Sequence, residues 1–174
     1  PARRGINRVV WDLRHEPLAT GMQGQSGRRG PSLEGPFVVP EEYVVRLAGG
    51  SRTMEQRVRV DEDPRITVAP AVRRSWTETL LSLGRLYQES DTVLATVRAA
   101  TERVIKSGTA PPSLRTEAED LLDAAVELRT RVSTLYREIG GSTGPITADQ
   151  RSQLEYYPTV LRDLEQRAAK LLAR

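Results

Sequence analysis

Residues 70–107 read PAVRRSWTETLLSLGRLYQESDTVLATVRAATERVIKS, and their mostly apolar positions recur at alternating steps of four and three. This spacing aligns the side chains along one side of an α-helix, in a line that we call a seam. The members of the seam are Trp76, Leu80, Leu83, Tyr87, Ser90, Leu94, Val97, Thr101 and Val104. The pattern predicts one long helix over about residues 70–107, whose seam packs against other elements.

Two further seams with the same spacing follow in the rest of the chain. The first contains Leu114, Ala118, Leu121, Ala125, Leu128, Val132, Leu135 and Ile139, and the second contains Gln150, Leu154, Tyr157, Leu161, Leu164, Ala168 and Leu171. Glycine, proline and serine are concentrated between the seams, where they end one helix before the next begins. Helices are therefore predicted over about residues 114–139 and 147–173. Thr147 and Gln150 have the spacing of a capping box at the start of the third helix.

Residues 69–174 are predicted to form an antiparallel three-helix bundle, because short connections favour antiparallel neighbours. An intermolecular coiled coil is the alternative. We favour the bundle, since three seams of similar length can bury one another without a partner chain.

The seams also predict the environment of individual side chains. Leu83, Leu128 and Leu164 are expected at the centre of the bundle, whereas Arg129 is expected at an exposed position. Pro158 has no backbone N–H to donate and crowds the preceding turn. A kink in the third helix is therefore expected near Tyr156 or Tyr157, immediately before this proline.

The N-terminal part, residues 1–68, alternates apolar and polar residues with the period of a β-strand. One strand is predicted over residues 5–14, and a β-hairpin over residues 42–60 is predicted from the turn signal Gly49-Gly50-Ser51. The apolar positions of these segments are Val9, Trp11 and Leu13, then Tyr43, Val45 and Leu47, then Met54, Val58 and Val60. Residues 15–35 have no periodic apolar set and are predicted to be a mobile loop.

Three short motifs in residues 5–65 carry a family resemblance. They are Gly5-x-Asn7-x-Val9-x-Trp11-Asp12-Leu13-Arg14, Gly35-Pro36-x-Val38-Val39-Pro40-x-x-Tyr43-x-Val45-x-Leu47 and Asp63-Pro64-Arg65. Together they resemble the C-terminal region of bacterial sortilin-like proteins, in which a β-propeller of BNR or sialidase-like repeats precedes an immunoglobulin-like module and a helical tail. The module is also similar to the immunoglobulin-like domain of flagellar hook-capping proteins.

The resemblance implies that residues 1–68 are an immunoglobulin-like β-domain whose N-terminal strands are missing. The expected fold class is then α+β, with a partial immunoglobulin-like antiparallel β-sandwich followed by the antiparallel three-helix bundle. The resemblance also implies a partner, an upstream β-propeller polypeptide in the same gene product or in a separate chain, which completes the β-sheet. A periplasmic or extracellular location is implied as well.

On this basis the chain is expected to be a non-catalytic interaction or structural module of a larger secreted protein. The alternative is an accessory domain of a propeller glycoside hydrolase or peptidase that contributes the loop 15–35 to a substrate cleft. Any catalytic residues of such an enzyme would lie in the propeller, so the resemblance assigns no catalytic, cofactor-binding or metal-binding residue to this chain.

Composition narrows the remaining classes of function. The absence of cysteine excludes disulfides and thiolate metal sites. Residues 1–60 hold ten arginines against six acids, whereas the remainder holds sixteen lysines and arginines against seventeen acids. This basic excess is small and no aromatic platform accompanies it, so nucleic-acid binding is not predicted. No run of eighteen apolar residues is present, so no membrane span is predicted.

Several residues have the chemistry of a functional site but are predicted to have structural roles. His15 is the single histidine and is expected in an exposed loop, where it cannot form a histidine metal pair. Residues 61–63 cluster three carboxylates but lack the spacing of a calcium loop, and Asp63 is expected to bond backbone N–H groups of the turn at Pro64.

The glycine-rich and aromatic positions are likewise predicted to be structural. Gly24, Gly27 and Gly30 do not sit between a strand and a helix, so they do not form a phosphate-binding loop. Arg28 and Arg29 are expected at a solvated loop tip. The aromatic side chains expected to pack in the core are Trp11, Trp76, Tyr87 and Tyr157.

Overall fold

A computed structural model describes residues 5–17, 33–142 and 144–173 of the chain. The chain is α+β, as predicted, with a two-stranded antiparallel sheet followed by three helices. The elements are β1 (Glu42–Gly49), β2 (Arg52–Arg59), α1 (Pro70–Lys106), α2 (Pro112–Gly140) and α3 (Ala148–Leu172).

The three helices share one hydrophobic core, and each contacts the other two. The Trp76 indole N–H donates to the carbonyl of Ile139 over 2.8 Å, and the Thr101 hydroxyl donates to the carbonyl of Ala118 over 3.1 Å. These bonds join the start of α1 to the end of α2 and the end of α1 to the start of α2. The two helices therefore run in opposite directions.

The predicted seams coincide with the buried side chains of the helices. Every seam residue is buried except Val104, Leu114, Gln150 and Leu154, which lie near helix ends and are partly buried. Leu83, Leu128 and Leu164 are among the buried core residues, as expected. The burial of polar Ser90 and Thr101 follows from hydrogen bonds that their hydroxyls donate to the carbonyls of Leu86 and Ala118.

The helix ends follow local capping chemistry. α1 starts with Pro70 and α2 with Pro112. A backbone N–H in the first turn has no acceptor within the helix, so proline, which lacks this group, costs no hydrogen bond there. The predicted capping box of α3 is confirmed, because the Thr147 hydroxyl accepts from Gln150 N and the Gln150 side chain accepts from Thr147 N. α3 continues as helix through Pro158.

Arg129 departs from its expected exposed position. Its side chain is about three-quarters buried, with 27% exposure, and its Nε donates over 2.6 Å to the carboxylate of Asp91, which has 0% exposure. The guanidinium also lies 4.9 Å from the centre of the Tyr87 ring. The expectation was wrong because Arg129 lies next to the α2 seam and pairs with the buried carboxylate of Asp91 on α1. The sequence of α2 alone cannot indicate that partner.

The β-hairpin over residues 42–60 is confirmed. Its register sets Tyr43 opposite Val58, Val45 opposite Gln56 and Leu47 opposite Met54, so the alternating apolar positions share one face as predicted. Gly50 has φ of 59°, which places the turn in the left-handed region that glycine favours.

The predicted strand over residues 5–14 is not formed in the described residues, and only Arg14 makes an isolated bridge, to Phe37. The chain turns at this point, because Asp12 Oδ1 accepts from Arg14 N and Leu13 has φ of 60°. Trp11 was expected in a core, but its side chain is 40% exposed. The alternation of Val9, Trp11 and Leu13 indicates an apolar face, but a strand forms only where a neighbouring strand is available to pair with it.

The sheet stands apart from the helices, since neither strand contacts a helix. All residues of β2 and all of β1 except Tyr43 are exposed. The loop predicted over residues 15–35 is described only at 15–17 and 33–35, and Gly24, Gly27, Gly30, Arg28 and Arg29 lie outside the described residues.

Candidate interaction surface

One face of the hairpin is apolar and open to solvent. We call it the apolar sheet face and define it by Tyr43, Val45, Leu47, Met54, Gln56 and Val58. Exposure reaches 48% for Val45, 62% for Leu47, 64% for Met54 and 38% for Val58. Single exposed apolar residues are ordinary on protein surfaces, whereas these four adjoin one another on one face of a sheet, which makes this face a candidate interaction surface.

The opposite face of the hairpin is charged. Arg46 Nε donates to Glu55 over 2.7 Å, and Arg57 Nη1 donates to Glu42 over 2.7 Å, both across the two strands. The hairpin is therefore amphipathic, with ion pairs on one side and aliphatic side chains on the other. Two strands alone are marginally stable in water, so burial of the apolar sheet face would stabilise them.

The preceding segment enlarges the apolar surface. The Trp11 ring packs edge-on against Tyr43 with 5.3 Å between ring centres, and the Trp11 indole N–H donates to the Arg14 carbonyl over 3.0 Å. Ile6, Val9 and Val10 before it are all more than two-thirds exposed. These aliphatic residues add to the apolar sheet face within what we call the β-region, the described residues 5–17 and 33–60.

Residues 33–38 attach this region to the helices. The Leu33 side chain is part of the helical core, and Val38 is also buried. The Tyr136 hydroxyl donates to the carbonyl of Glu34 over 2.6 Å, and burial raises the pKa of Tyr136 to about 12. The Arg14 guanidinium lies 3.8 Å from the centre of the Phe37 ring.

Gly35 allows two chain segments to approach closely within this attachment. His15 N donates to the carbonyl of Pro36 and Val38 N donates to the carbonyl of Leu13, each over 2.9 Å. A Cβ at position 35 would lie 2.0 Å from the carbonyl oxygen of His15, which is backbone and cannot rotate away. Only glycine fits here.

A cleft of about 350 Å³ opens beside this attachment, with Arg14, Glu34, Trp76, Tyr136 and Arg137 in its walls. Arg14 donates to the Gly35 carbonyl over 2.9 Å, and its guanidinium lies 3.4 Å from the Glu34 carboxylate. The polar groups of Arg14 and Tyr136 thus serve to hold residues 33–38. The cleft therefore results from the way residues 33–38 pack against the helices.

His15 and residues 61–63 lie among contacts that hold the chain in place. His15 is half-buried rather than exposed, and its backbone carbonyl faces Gly35. Asp63 accepts from Arg65 N over 2.9 Å, as expected of the turn at Pro64, and bonds to the Arg65 guanidinium lower the pKa of Asp63. Within residues 5–17, 33–142 and 144–173, no three His, Asp or Glu side chains converge as a metal site.

Among the aromatic residues, Trp76, Tyr87 and Tyr157 are buried and Tyr156 is 61% exposed. Trp76 and Tyr157 also satisfy their polar atoms, the first at Ile139 and the second at Gln153 Oε1 over 2.7 Å. Sequence reasoning missed Arg14, whose role in attaching residues 33–38 depends on a contact more than twenty residues away in the chain.

Comparison of the chain with protein-family models, with curated proteins and with solved structures found no match. The resemblance to sortilin-like proteins therefore rests on the residues quoted for it. None of the described helices is both long enough and apolar enough to span a membrane.

Proposed function

We propose that this chain is a non-catalytic module that binds another polypeptide through its β-region. The observation that carries the proposal is the exposure of the apolar sheet face, together with exposed Val9 and Val10 in the segment whose Trp11 ring packs against Tyr43 of that face. An apolar surface of this kind on a well-packed scaffold favours association with a protein partner.

The scaffold in this proposal is an antiparallel three-helix bundle. The opposite directions of α1 and α2 support it, as do the shared core and the mutual contacts of all three helices. The cleft formed by Leu83 and Leu86 with Leu154, and another formed by Val104 with Leu171, support a third helix parallel to the first.

The β-region in this proposal is part of an immunoglobulin-like sandwich that its partner completes. The partner adds a strand at the β1 side, near Trp11, and packs apolar side chains over the apolar sheet face. The resemblance implies that this partner is a β-propeller polypeptide of the sortilin-like type and that both are periplasmic or extracellular. The exposed face supports this proposal, as does the outer edge of β1, beside which no third strand lies among the described residues.

Site-specific photo-crosslinking tests the proposed partner. A photoreactive amino acid replaces Leu47 on the apolar sheet face in one variant, and Val126 on α2 in a matched control, since both are exposed aliphatic residues. In native cells, the position 47 variant is expected to capture a polypeptide whose peptides identify propeller repeats, and the position 126 variant is not. Equal capture at both positions, or none at position 47, would contradict the proposal.

The non-catalytic part of the proposal has its own assay. Purified chain is expected to turn over no substrate in glycosidase and peptidase panels. Any turnover by the purified chain would overturn this part, and His15→Ala and chelator treatment would then show whether the only histidine or a bound metal carries it.

A further inference from the structure

The outer edge of β2 carries backbone groups that face away from β1. Val60 N donates to the carbonyl of Glu41 over 2.9 Å, which makes this a hydrogen-bonded pair. Such pairs alternate along an antiparallel ladder, so every second residue of β2 directs its N–H and C=O outward. These residues form what we call the β2 edge: Thr53, Glu55, Arg57 and Arg59.

The β2 edge is complementary to itself. If two copies of β2 pair antiparallel about Gln56, Glu55 lies opposite Arg57 of the second copy, and Arg57 lies opposite the second Glu55. On the other face, Met54 lies opposite Val58 of the second copy. Opposite charges and apolar pairs placed directly across strands stabilise a sheet.

The charges also extend the ion pairs of each hairpin. Arg46 already bonds Glu55, and Arg57 already bonds Glu42. Pairing about Gln56 would produce a row of charges across the four strands. The row runs from Arg46 of β1 to Glu55 of β2, and then to Arg57 of β2 and Glu42 of β1 in the second copy. Signs alternate along the whole row, and symmetry generates a second row with the same property.

Other registers are less favourable. A shift of the centre by one residue in either direction brings Glu55 against Glu55, or Arg57 against Arg57, across the two copies. Registers that set odd residues against even ones would place the outward N–H and C=O groups of one copy opposite residues whose backbone groups already bond β1 in the other copy. The charge pattern therefore favours a single register.

We propose that two copies of this chain associate through the β2 edge, with Gln56 on the two-fold axis, to form one four-stranded sheet in the order β1, β2, β2, β1. This inference does not depend on the identity of the proposed partner, which acts at β1 and the apolar sheet face. Protected sheet edges commonly carry repelling charges, whereas Glu55 and Arg57 here have the order that attracts a second copy.

The dimer would also improve the hairpin itself. Four strands with one apolar face are more stable than two, because each strand gains neighbours and the aliphatic side chains adjoin one another. Met54 of each copy would contact Val58 of the other, and the apolar sheet face would become continuous across both hairpins. A two-fold interface of one patch with itself is the commonest arrangement in homodimers.

Charge-reversal variants of the whole chain test the inference by sedimentation velocity. The unchanged protein is expected to be a dimer at high micromolar concentration. Glu55→Arg and Arg57→Glu should each weaken dimerisation by about tenfold or more, because every cross-copy pair becomes a like-charge pair. An equimolar mixture of these two variants should restore the dimer, since each Arg-bearing edge then meets a Glu-bearing edge.

Arg131→Glu is the matched control, because it also reverses an exposed arginine of an ion pair but lies on α2, outside the hairpin. It should dimerise like the unchanged protein, and circular dichroism should give the same helix content for all variants. A monomeric unchanged protein, no recovery in the mixture, or equal weakening by Arg131→Glu would overturn the inference. A monomer that still crosslinks from position 47 would leave the proposed function intact, so the two ideas fail separately.

Discussion

Asp91 and Arg129 join α1 to α2 through an ion pair whose carboxylate has no exposed surface. The carboxylate was removed from water when the helices packed, and Arg129 offsets that desolvation with a bond of 2.6 Å and a contact with the Tyr87 ring. Asp91 Oδ2 is also buried, without a hydrogen-bond donor among the described residues. Arg129 is therefore the main compensation for this buried charge.

Arg129→Ala should lower the free energy of unfolding by about 3 kcal/mol, because it leaves the Asp91 carboxylate buried without its partner. Arg131→Ala is the matched control, since Arg131 lies on the same helix and its pair with Glu127 is exposed on both sides. Urea denaturation measures both. Similar midpoints for the two variants would contradict a buried, compensated Asp91.

Gly35 sets a second constraint at single-residue scale. Gly35→Ala should separate residues 13–15 from 36–38, because the new Cβ would lie 2.0 Å from the His15 carbonyl oxygen. Amide hydrogen exchange at His15 and Val38 should then accelerate, since both N–H groups donate across this contact. Gly49→Ala is the control, as an added Cβ there meets nothing within 4 Å. Unchanged exchange in Gly35→Ala would exclude the close approach.

At the scale of elements, the seams of the helices define the core. Leu128→Ala should cost about 2–5 kcal/mol of unfolding free energy, because Leu128 is buried and its removal leaves a cavity between helices. Glu119→Ala, at an exposed position of the same helix, should cost less than about 0.5 kcal/mol. Thermal melting compares the two variants. Equal melting temperatures would refute the assignment of the seam to the core.

Helices were predictable from the sequence because their signals are local. The seam from Trp76 to Val104, and the pair of Thr147 and Gln150, report burial and capping within a few residues of chain. The segment 5–14 shows the opposite case, since alternation of Val9 and Trp11 indicates a strand only if a neighbouring strand exists. The contacts that shape it, at Arg14 and Phe37, join residues distant in sequence.

The candidate surface was predictable in part. The residues of the apolar sheet face follow from alternation and from the turn at Gly50, which together fix the register. Exposure of that face could not be predicted, because it depends on whether another element covers the hairpin. The attachment by Leu33 and Tyr136 could not be predicted either, because it joins the β-region to a helix about a hundred residues later in the chain.

At the scale of the whole molecule, the hairpin and the helices should unfold separately. Neither strand contacts a helix, so opening of the hairpin breaks none of the helical core. Val45→Ser should leave the helical melting temperature unchanged, whereas Leu161→Ser should lower it, because Leu161 lies in that core. Far-ultraviolet circular dichroism follows the helices. A lower helical melting temperature in Val45→Ser would reveal coupling.

The separation of the hairpin from the helices has a consequence for how substitutions are tolerated. Changes at Leu164 or Leu128 are filtered by folding and would reduce cellular abundance before any effect on association. Changes at Leu47 or Met54 leave the helical core intact and should not reduce abundance, so they are constrained only by what the hairpin binds. A saturation library scored once for abundance and once for binding should thus separate the hairpin, residues 42–59, from the helices and from the attached residues 33–38, and leave the hairpin free to acquire new specificities on an unaltered helical frame.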